Sequence, residues 1–214
     1  MSGGKVQWCL VVPVKRLEGA KTRLGPPYDG HRVELALAFA VDTTLAALAS
    51  PAVRCVVVVT DDVRAADVLA AVGAAVVADE PDAGINPALL HGARLAAAAH
   101  PDCGLGALSA DLPALRPTEL ATVLGRAAAS TSERSFVRVA EGRGTTAVLA
   151  RSLEVFRPTF GADSALRHAE AGFAEVPGDD LPSVRLDVDT SSDLAHARVL
   201  GLGARTAEVL QRLG

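Results

Sequence analysis

Val53–Thr60 reads VRCVVVVT. Eight residues are few for a helix, and four successive valines leave the run apolar on both faces, as a central strand of a parallel sheet must be. Outward from it, short β-branched runs alternate with longer Ala- and Leu-rich segments. Upstream, Trp8–Val14 predicts a first strand. In His31–Ala49 the residues Val33, Leu37, Val41, Leu45 and Leu48 recur every three or four positions, which is a helix face, and Pro51 closes it. Downstream, Asp61–Val72 predicts a helix and Ala74–Ala78 a strand. Pro87–Ala99 follows as a helix, with Asn86 as its N-cap and Pro87 in its first position. Gly104–Ser109 predicts a strand that delivers Asp111, and Pro117–Ala129 a helix. Ser135–Ala140 and Thr145–Ala150 pair as strands around the EGRG turn, and Ser164–Ala171 is a short helix. Val184–Val188 is expected as a last strand, followed by helices over Ser191–Leu200 and Arg205–Leu213. This alternation implies a three-layer, Rossmann-like α/β fold with a mixed, mostly parallel sheet, as one domain over 1–214.

The composition narrows the function classes. Half of the 214 residues are apolar but only 3% are aromatic, so Ala, Val and Leu must build the core. A net charge of -4 argues against a surface made for nucleic acid. No apolar stretch reaches about 18 residues, and MSGGKVQW lacks the pattern of an export leader, so a cytoplasmic chain without a membrane partner is expected. Cys9, Cys55 and Cys103 are odd in number and show no CxxC spacing, which favours buried free thiols over disulfides or a zinc site. His31, His91, His100, His168 and His196 form no catalytic pattern, and His91 and His168 are expected on helix surfaces.

Ligands of such sheets bind outside the carboxyl ends of the strands, so the loops there are the place to look for chemistry. The first, Val12–Gly25, reads VPVKRLEGAKTRLG and carries Lys15, Arg16, Lys21 and Arg23. Its cations suit a polyphosphate, although GxxxxGK[ST] is absent; a solvated basic loop is the plain alternative. The second delivers Asp111 in SADLP, placed for a hard cation such as Mg²⁺ or for a turn cap. The third, Asp187-Val188-Asp189-Thr190, sets two carboxylates on one side of an extended segment, unless Asp189 or Thr190 only caps the next helix. The fourth combines Gly144-Thr145-Thr146 with Phe160-Gly161-Ala162-Asp163-Ser164, where a helix start favours a small anion or is an ordinary cap.

Five ordered motifs, VPVKRLEGAKTRLG, LSADLPAL (Leu108–Leu115), GTTAVL (Gly144–Leu149), FGADSALRH (Phe160–His168) and LDVDTSSDL (Leu186–Leu194), make the chain resemble the 2-phospho-L-lactate guanylyltransferases of coenzyme F420 biosynthesis. The resemblance runs from about Val11 to Leu200. It implies a nucleotide-diphospho-sugar-transferase-like fold, GTP as the nucleotide donor and Mg²⁺ as cofactor. It also implies phosphoenolpyruvate as the acceptor of the actinobacterial members that this chain is similar to, with 2-phospho-L-lactate or 3-phospho-D-glycerate in others. Carried over, Asp111, Asp187 and Asp189 would hold metal, Thr146, Gly161 and Ser164 the acceptor carboxylate, and Lys15, Lys21 and Arg23 the GTP phosphates. With GTP implied, guanine presents donors at N1 and N2, and Asp79, Glu80 and Asn86 lie in the strand-end loop best placed to accept them. The product would be unstable, which leaves room for a transient partner enzyme that takes it up directly. The rival readings are another nucleotidyltransferase of this fold, such as a molybdenum-cofactor guanylyltransferase, and a GTP-binding regulatory module without catalysis.

Overall fold

A computed structural model describes residues 6–80 and 82–213; the leading MSGGK therefore lies outside the described residues. Among the described residues seven strands form one sheet: β1 (Trp8–Pro13), β2 (Val53–Val59), β3 (Ala75–Val77), β4 (Gly104–Leu108), β5 (Arg134–Arg138), β6 (Thr145–Ala150) and β7 (Ala174–Glu175). Their order is β3-β2-β1-β4-β6-β5-β7, and β6 alone among them runs against its neighbours. The mixed sheet expected from the alternation is present, with the antiparallel strand β6 inside it between β4 and β5.

Period-two alternation along β1 and β2 supplies two cores. Leu10, Val12, Val56 and Val58 pack under α1 (Arg32–Leu48), α2 (Val63–Ala71) and α4 (Pro117–Ala129). Cys9, Val11, Val57 and Val59 pack on the other face under α3 (Ile85–Ala99), with Phe136, Phe160 and Phe173 further along beside α5 (Ser164–Glu170). Each fully buried valine contributes about 1.5–3 kcal/mol relative to an exposed one, so VRCVVVVT is a central stabilising element of both layers. α3 approaches the sheet closely at Gly92, where a Cβ would stand 2.6 Å from Val11 and 2.8 Å from Val59. A third cluster joins α1 to α7 (Ser191–Leu200) and α8 (Ala204–Gln211). The buried Asp42 of α1 fastens that last helix by accepting from Arg205 N at 3.0 Å and Thr206 N at 2.8 Å.

Two local expectations are corrected. Val184–Val188 is not a strand: Pro182–Arg185 forms a helical turn, α6, with proline in its first turn. The chain then runs extended outside the ladder, held by single bonds from Ala140 N to Arg185 O and from Val188 N to Asp111 O, both 2.9 Å. α3 begins at Ile85 behind Gly84, whose φ of 103° is glycine's to adopt, so Asn86 is not its N-cap.

Candidate active site

The parallel strands end, and β6 begins, at one edge of the sheet. The cationic loop leaves β1 at that edge and is fixed by Asp62, which caps α2 through Ala65 N and accepts from Leu17 N at 2.9 Å. Two short 3₁₀ turns, Leu17–Gly19 and Thr22–Leu24, then reverse it. Lys21 between them has a left-handed φ of 55°. Among the described residues the other non-glycine positions with positive φ are Asp82 and Asp163, both also in loops of this region. A left-handed conformation costs an L-residue with a Cβ roughly 1–2 kcal/mol, a pattern of strain that clusters at functional sites.

That twist sends Lys21 inward. Its ammonium, with the side chain only 10% exposed, lies 2.5 Å from Asp111 Oδ2 and 3.0 Å from Asp189 Oδ1. Arg23 reaches the other oxygen of Asp189 at 2.5 Å. Thr190, not Asp189, caps α7 in a reciprocal box with Asp193, which leaves the Asp189 carboxylate to the cations. Burial alone would lower the Lys21 pKa; the charges of Asp111 and Asp189 outweigh it and hold the pKa above the ordinary value. Burial, then the like charges of Asp111 and Asp189, push Asp187 up to about 7, against the pull of Lys21.

Clefts flank this knot. The larger, about 610 Å³, runs from Lys15 and Arg16 past Lys21 to Ser109, Asp111 and Asp189. It continues over Lys15 and Arg16 into a recess of about 240 Å³ whose far wall holds Asp61, Asp79, Asp82 and Gly84. The cations of the loop thus divide, Lys15 and Arg16 facing this recess while Lys21 and Arg23 face the carboxylates. In the recess Asp79 Oδ1 is buried without a hydrogen-bond partner among the described residues, and burial followed by Asp61 and Asp82 raises its pKa. Glu80 is exposed and does not line the recess. Asn86 spends its amide on the Phe160 backbone, accepting from N at 2.8 Å and donating to O at 3.1 Å, so it splints α3 to the FGADS loop.

On the other side of Asp189 a third cavity of about 200 Å³ is lined by Arg23, Arg143, Gly144 and Arg185 together with the carboxylates of Glu141, Asp187, Asp189 and Asp193, and each arginine is already paired, with Asp189, Asp163 and Asp179 respectively. Arg143 and Arg185 escaped the sequence reading because isolated arginines carry no motif. Thr146 and Ser164 lie behind this surface, at 0% and 2% exposure. Val137 pairs with Ala147 and Arg138 with Thr145, so Thr146 is the extra residue of a β-bulge, a feature that re-aims neighbouring side chains. Its hydroxyl is buried and has no partner among the described residues. Thr145 instead meets His168 Nδ1 at 3.1 Å, while His168 Nε2 accepts from Thr159 N at 2.9 Å. His168 is therefore not on a helix surface but fully buried among Phe136, Phe160 and Phe173. It props the GTT strand end against the FGADS loop. Gly161, at φ 129°, leaves space that a Cβ would lose to Arg167 at 2.8 Å, and Asp163 pairs with Arg143 instead of capping α5.

Asp111, Asp187 and Asp189 could hold a divalent cation: an all-oxygen set suits Mg²⁺ or Mn²⁺, and Lys21 already brings positive charge between two of them. With that ammonium between them they are less tightly gathered than Asp61, Asp79 and Asp82, whose carboxylates come within 4.8 Å of one another. Among the described residues no helix is long and apolar enough to cross a membrane.

Known proteins share this arrangement of elements. The family described as "Guanylyl transferase CofC like" matches residues 8–214. A phosphoenolpyruvate guanylyltransferase of Streptomyces coelicolor is 55% identical over 209 residues, 97% of this chain and 98% of its own. Among solved structures, a Desulfovibrio desulfuricans protein described as a nucleotide-diphospho-sugar transferase superposes with a TM-score of 0.67 at 16% identity, covering 97% of this chain and 95% of its own. A Mycobacterium tuberculosis protein solved in complex with manganese gives 0.54 at 21% identity, covering 90% and 97%. The likenesses to solved structures carry the sugar-nucleotide-transferase type of fold, and the match over nearly the whole sequence carries more: the chain belongs to the CofC-like guanylyl transferase family.

Proposed function

We propose that the protein transfers GMP from GTP to phosphoenolpyruvate with release of pyrophosphate, the guanylyl transfer of coenzyme F420 biosynthesis. The observation that carries the reading is the Lys21 ammonium bridging Asp111 and Asp189 between a long cleft and an arginine-lined cavity. GTP occupies the long cleft, its phosphates over Lys15, Lys21 and Arg23 and its base toward Asp79, whose unpaired oxygen can accept from guanine N1 or N2. The acceptor occupies the other cavity, its charges met by Arg23, Arg143 and Arg185; Thr146, Gly161 and Ser164, which the family resemblance assigns to its carboxylate, do not line that cavity, and Thr146 and Ser164 are buried.

In the reaction an acceptor phosphate oxygen attacks the α-phosphorus of GTP in line; the new O–P bond forms as the bond to the β-phosphate bridging oxygen breaks and pyrophosphate leaves. The nucleophile is already an anion at neutral pH, so these residues need supply no general base. Lys21 and Arg23 neutralise charge where donor and acceptor meet, and the fixed loop orients the two anions. When bound to Asp111, Asp187 and Asp189, Mg²⁺ supplies further electrostatic stabilisation of the α-phosphate.

The test is pyrophosphate release by Asp187→Asn and Asp189→Asn at limiting Mg²⁺. Each is expected to lose at least about a hundredfold in kcat/KM, about 2.7 kcal/mol of transition-state stabilisation. Unchanged turnover in both would remove the metal assignment.

A further inference from the structure

All three cysteines of the chain gather at the edge of the sheet opposite the proposed active site. Trp8 pairs with Val53 but Cys9 pairs with Cys55, so Arg54 is an extra residue of β2 and the resulting shift makes the two cysteines register partners. Both pack on the face covered by α3. α3 ends against them: His100 is its C-cap, and the His100 carbonyl accepts from Cys103 N at 3.1 Å, closing the turn His100-Pro101-Asp102-Cys103. A ring nitrogen of His100 and the sulfurs of Cys9 and Cys55 all lie within 4.8 Å of one another, and the partly buried Cys103 packs against the same cluster as Cys9.

We propose that Cys9, Cys55, Cys103 and His100 form a zinc site, separate from the carboxylate site, that staples β1, β2 and the α3–β4 turn together. Three sulfurs and one imidazole are the donor set of a closed structural zinc site. The two-residue gap between His100 and Cys103 is the short spacing from which such sites take paired ligands. Thiolate and imidazole select a soft or borderline ion over the hard cation suited to Asp111, Asp187 and Asp189, so the two sites do not compete. Zn–S bonds of about 2.3 Å and Zn–N bonds of about 2.0 Å place tetrahedral ligands about 3.5–3.8 Å apart, so side-chain shifts of about an ångström complete the group. Cys9 is fully buried while Cys55, Cys103 and His100 are half-buried, which gives an ion a route in from solvent. Each thiol that ligates releases its proton to solvent as the S–Zn bond forms, and no oxidant or reductant is involved. A disulfide between Cys9 and Cys55 is the rival use of the same atoms, and it gives Cys103 and His100 no role.

The experiment loads the full-length protein, purified under reducing conditions, with Co²⁺ and then displaces it with Zn²⁺. One Co²⁺ per chain should produce the near-ultraviolet thiolate charge-transfer band that oxygen ligands cannot give, and Zn²⁺ should abolish it stoichiometrically. Cys55→Ser and His100→Gln, at half-buried positions, should each weaken Zn²⁺ binding by at least about tenfold, since losing even an outer-shell partner of a metal site costs 10–100-fold. Circular dichroism identifies variants that have stayed folded, and Cys103→Ser replaces either one that has not. The proposal is overturned if no charge-transfer band forms, if folded variants bind the ion as tightly as the parent, or if mass spectrometry finds Cys9 and Cys55 joined as a disulfide.

Discussion

Acidification should destabilise the fold through one residue, His168. Its ring is fully buried against three phenylalanines, with Nδ1 at Thr145 and Nε2 accepting from the Thr159 amide. Burial is the main cause that lowers its pKa from 6.5 to about 4. A proton on Nε2 would also turn the Thr159 amide from a donor with an acceptor into a donor facing a donor. The unfolded chain therefore binds this proton between about pH 6.5 and pH 4 while the folded chain does not, and stability falls as pH drops through that window. The gap corresponds to about 3 kcal/mol once pH is below 4, of which about 2 kcal/mol is lost by about pH 5. Urea unfolding of the parent and of His168→Gln, each at about pH 7.5 and about pH 5, isolates the effect, because glutamine does not titrate. The variant starts less stable but should lose about 2 kcal/mol less on acidification. Equal losses in the two proteins would refute the buried, neutral histidine.

Three further substitutions probe packing and site. Asp42→Ala removes the acceptor shared by the first amides of α8 and should cost about 2–3 kcal/mol in urea unfolding; a loss below about 0.5 kcal/mol would mean that α8 is held by its apolar face alone. Gly92→Ala forces a methyl between Val11 and Val59 and should cost about 1–3 kcal/mol, read as a lowered unfolding midpoint; no change would show that α3 is free to move away from the sheet. Thr146→Val removes a buried hydroxyl that has no partner, so it should stabilise the protein by about 1 kcal/mol. The same change should raise the acceptor KM by about tenfold with the KM for GTP unchanged, and an unaltered acceptor KM would exclude this hydroxyl from the acceptor side.

The sequence was most legible where hydrophobic period and chain length agree. VRCVVVVT, Pro117–Ala129, Thr145–Ala150 and Ser191–Leu200 all fall where their patterns place them, because burial and local propensity point to the same conformation there. Val184–Val188 alternates like a strand, yet Pro182 starts a helical turn and the residues that follow find single hydrogen bonds rather than a ladder. Pattern reports which side chains can be buried; it does not report whether a neighbouring strand is free. β7 is two residues long and carries no period at all. His168 was misread for a related reason: one histidine on a short helix reads as surface, and only the aromatic residues that fold around it from three other segments bury it.

For the site, the loops were legible and the division of labour within them was not. The cationic loop reads as one polyanion device, but the left-handed backbone at Lys21 separates Lys15 and Arg16 from Lys21 and Arg23. Nothing in the local sequence marks that turn, since lysine rarely adopts it. Asn86 is positioned in the right loop and yet its amide is committed to the Phe160 backbone, a partner 74 residues away. The cavity beside Asp189 required the fold itself, since it draws Arg23, Arg143 and Arg185 from three segments distant in sequence.

The central claim is a transfer between two substrates held on either side of Lys21. Its most direct measurement is GTP-dependent pyrophosphate release with phosphoenolpyruvate, 2-phospho-L-lactate and 3-phospho-D-glycerate supplied in turn, with phosphorus NMR of the product. The account predicts release only when an acceptor is present, a product carrying a new phosphoanhydride between GMP and the acceptor, and a kcat/KM for phosphoenolpyruvate at least about tenfold above the other two, about 1.4 kcal/mol. GTP binding without pyrophosphate release for any of the three acceptors would contradict it.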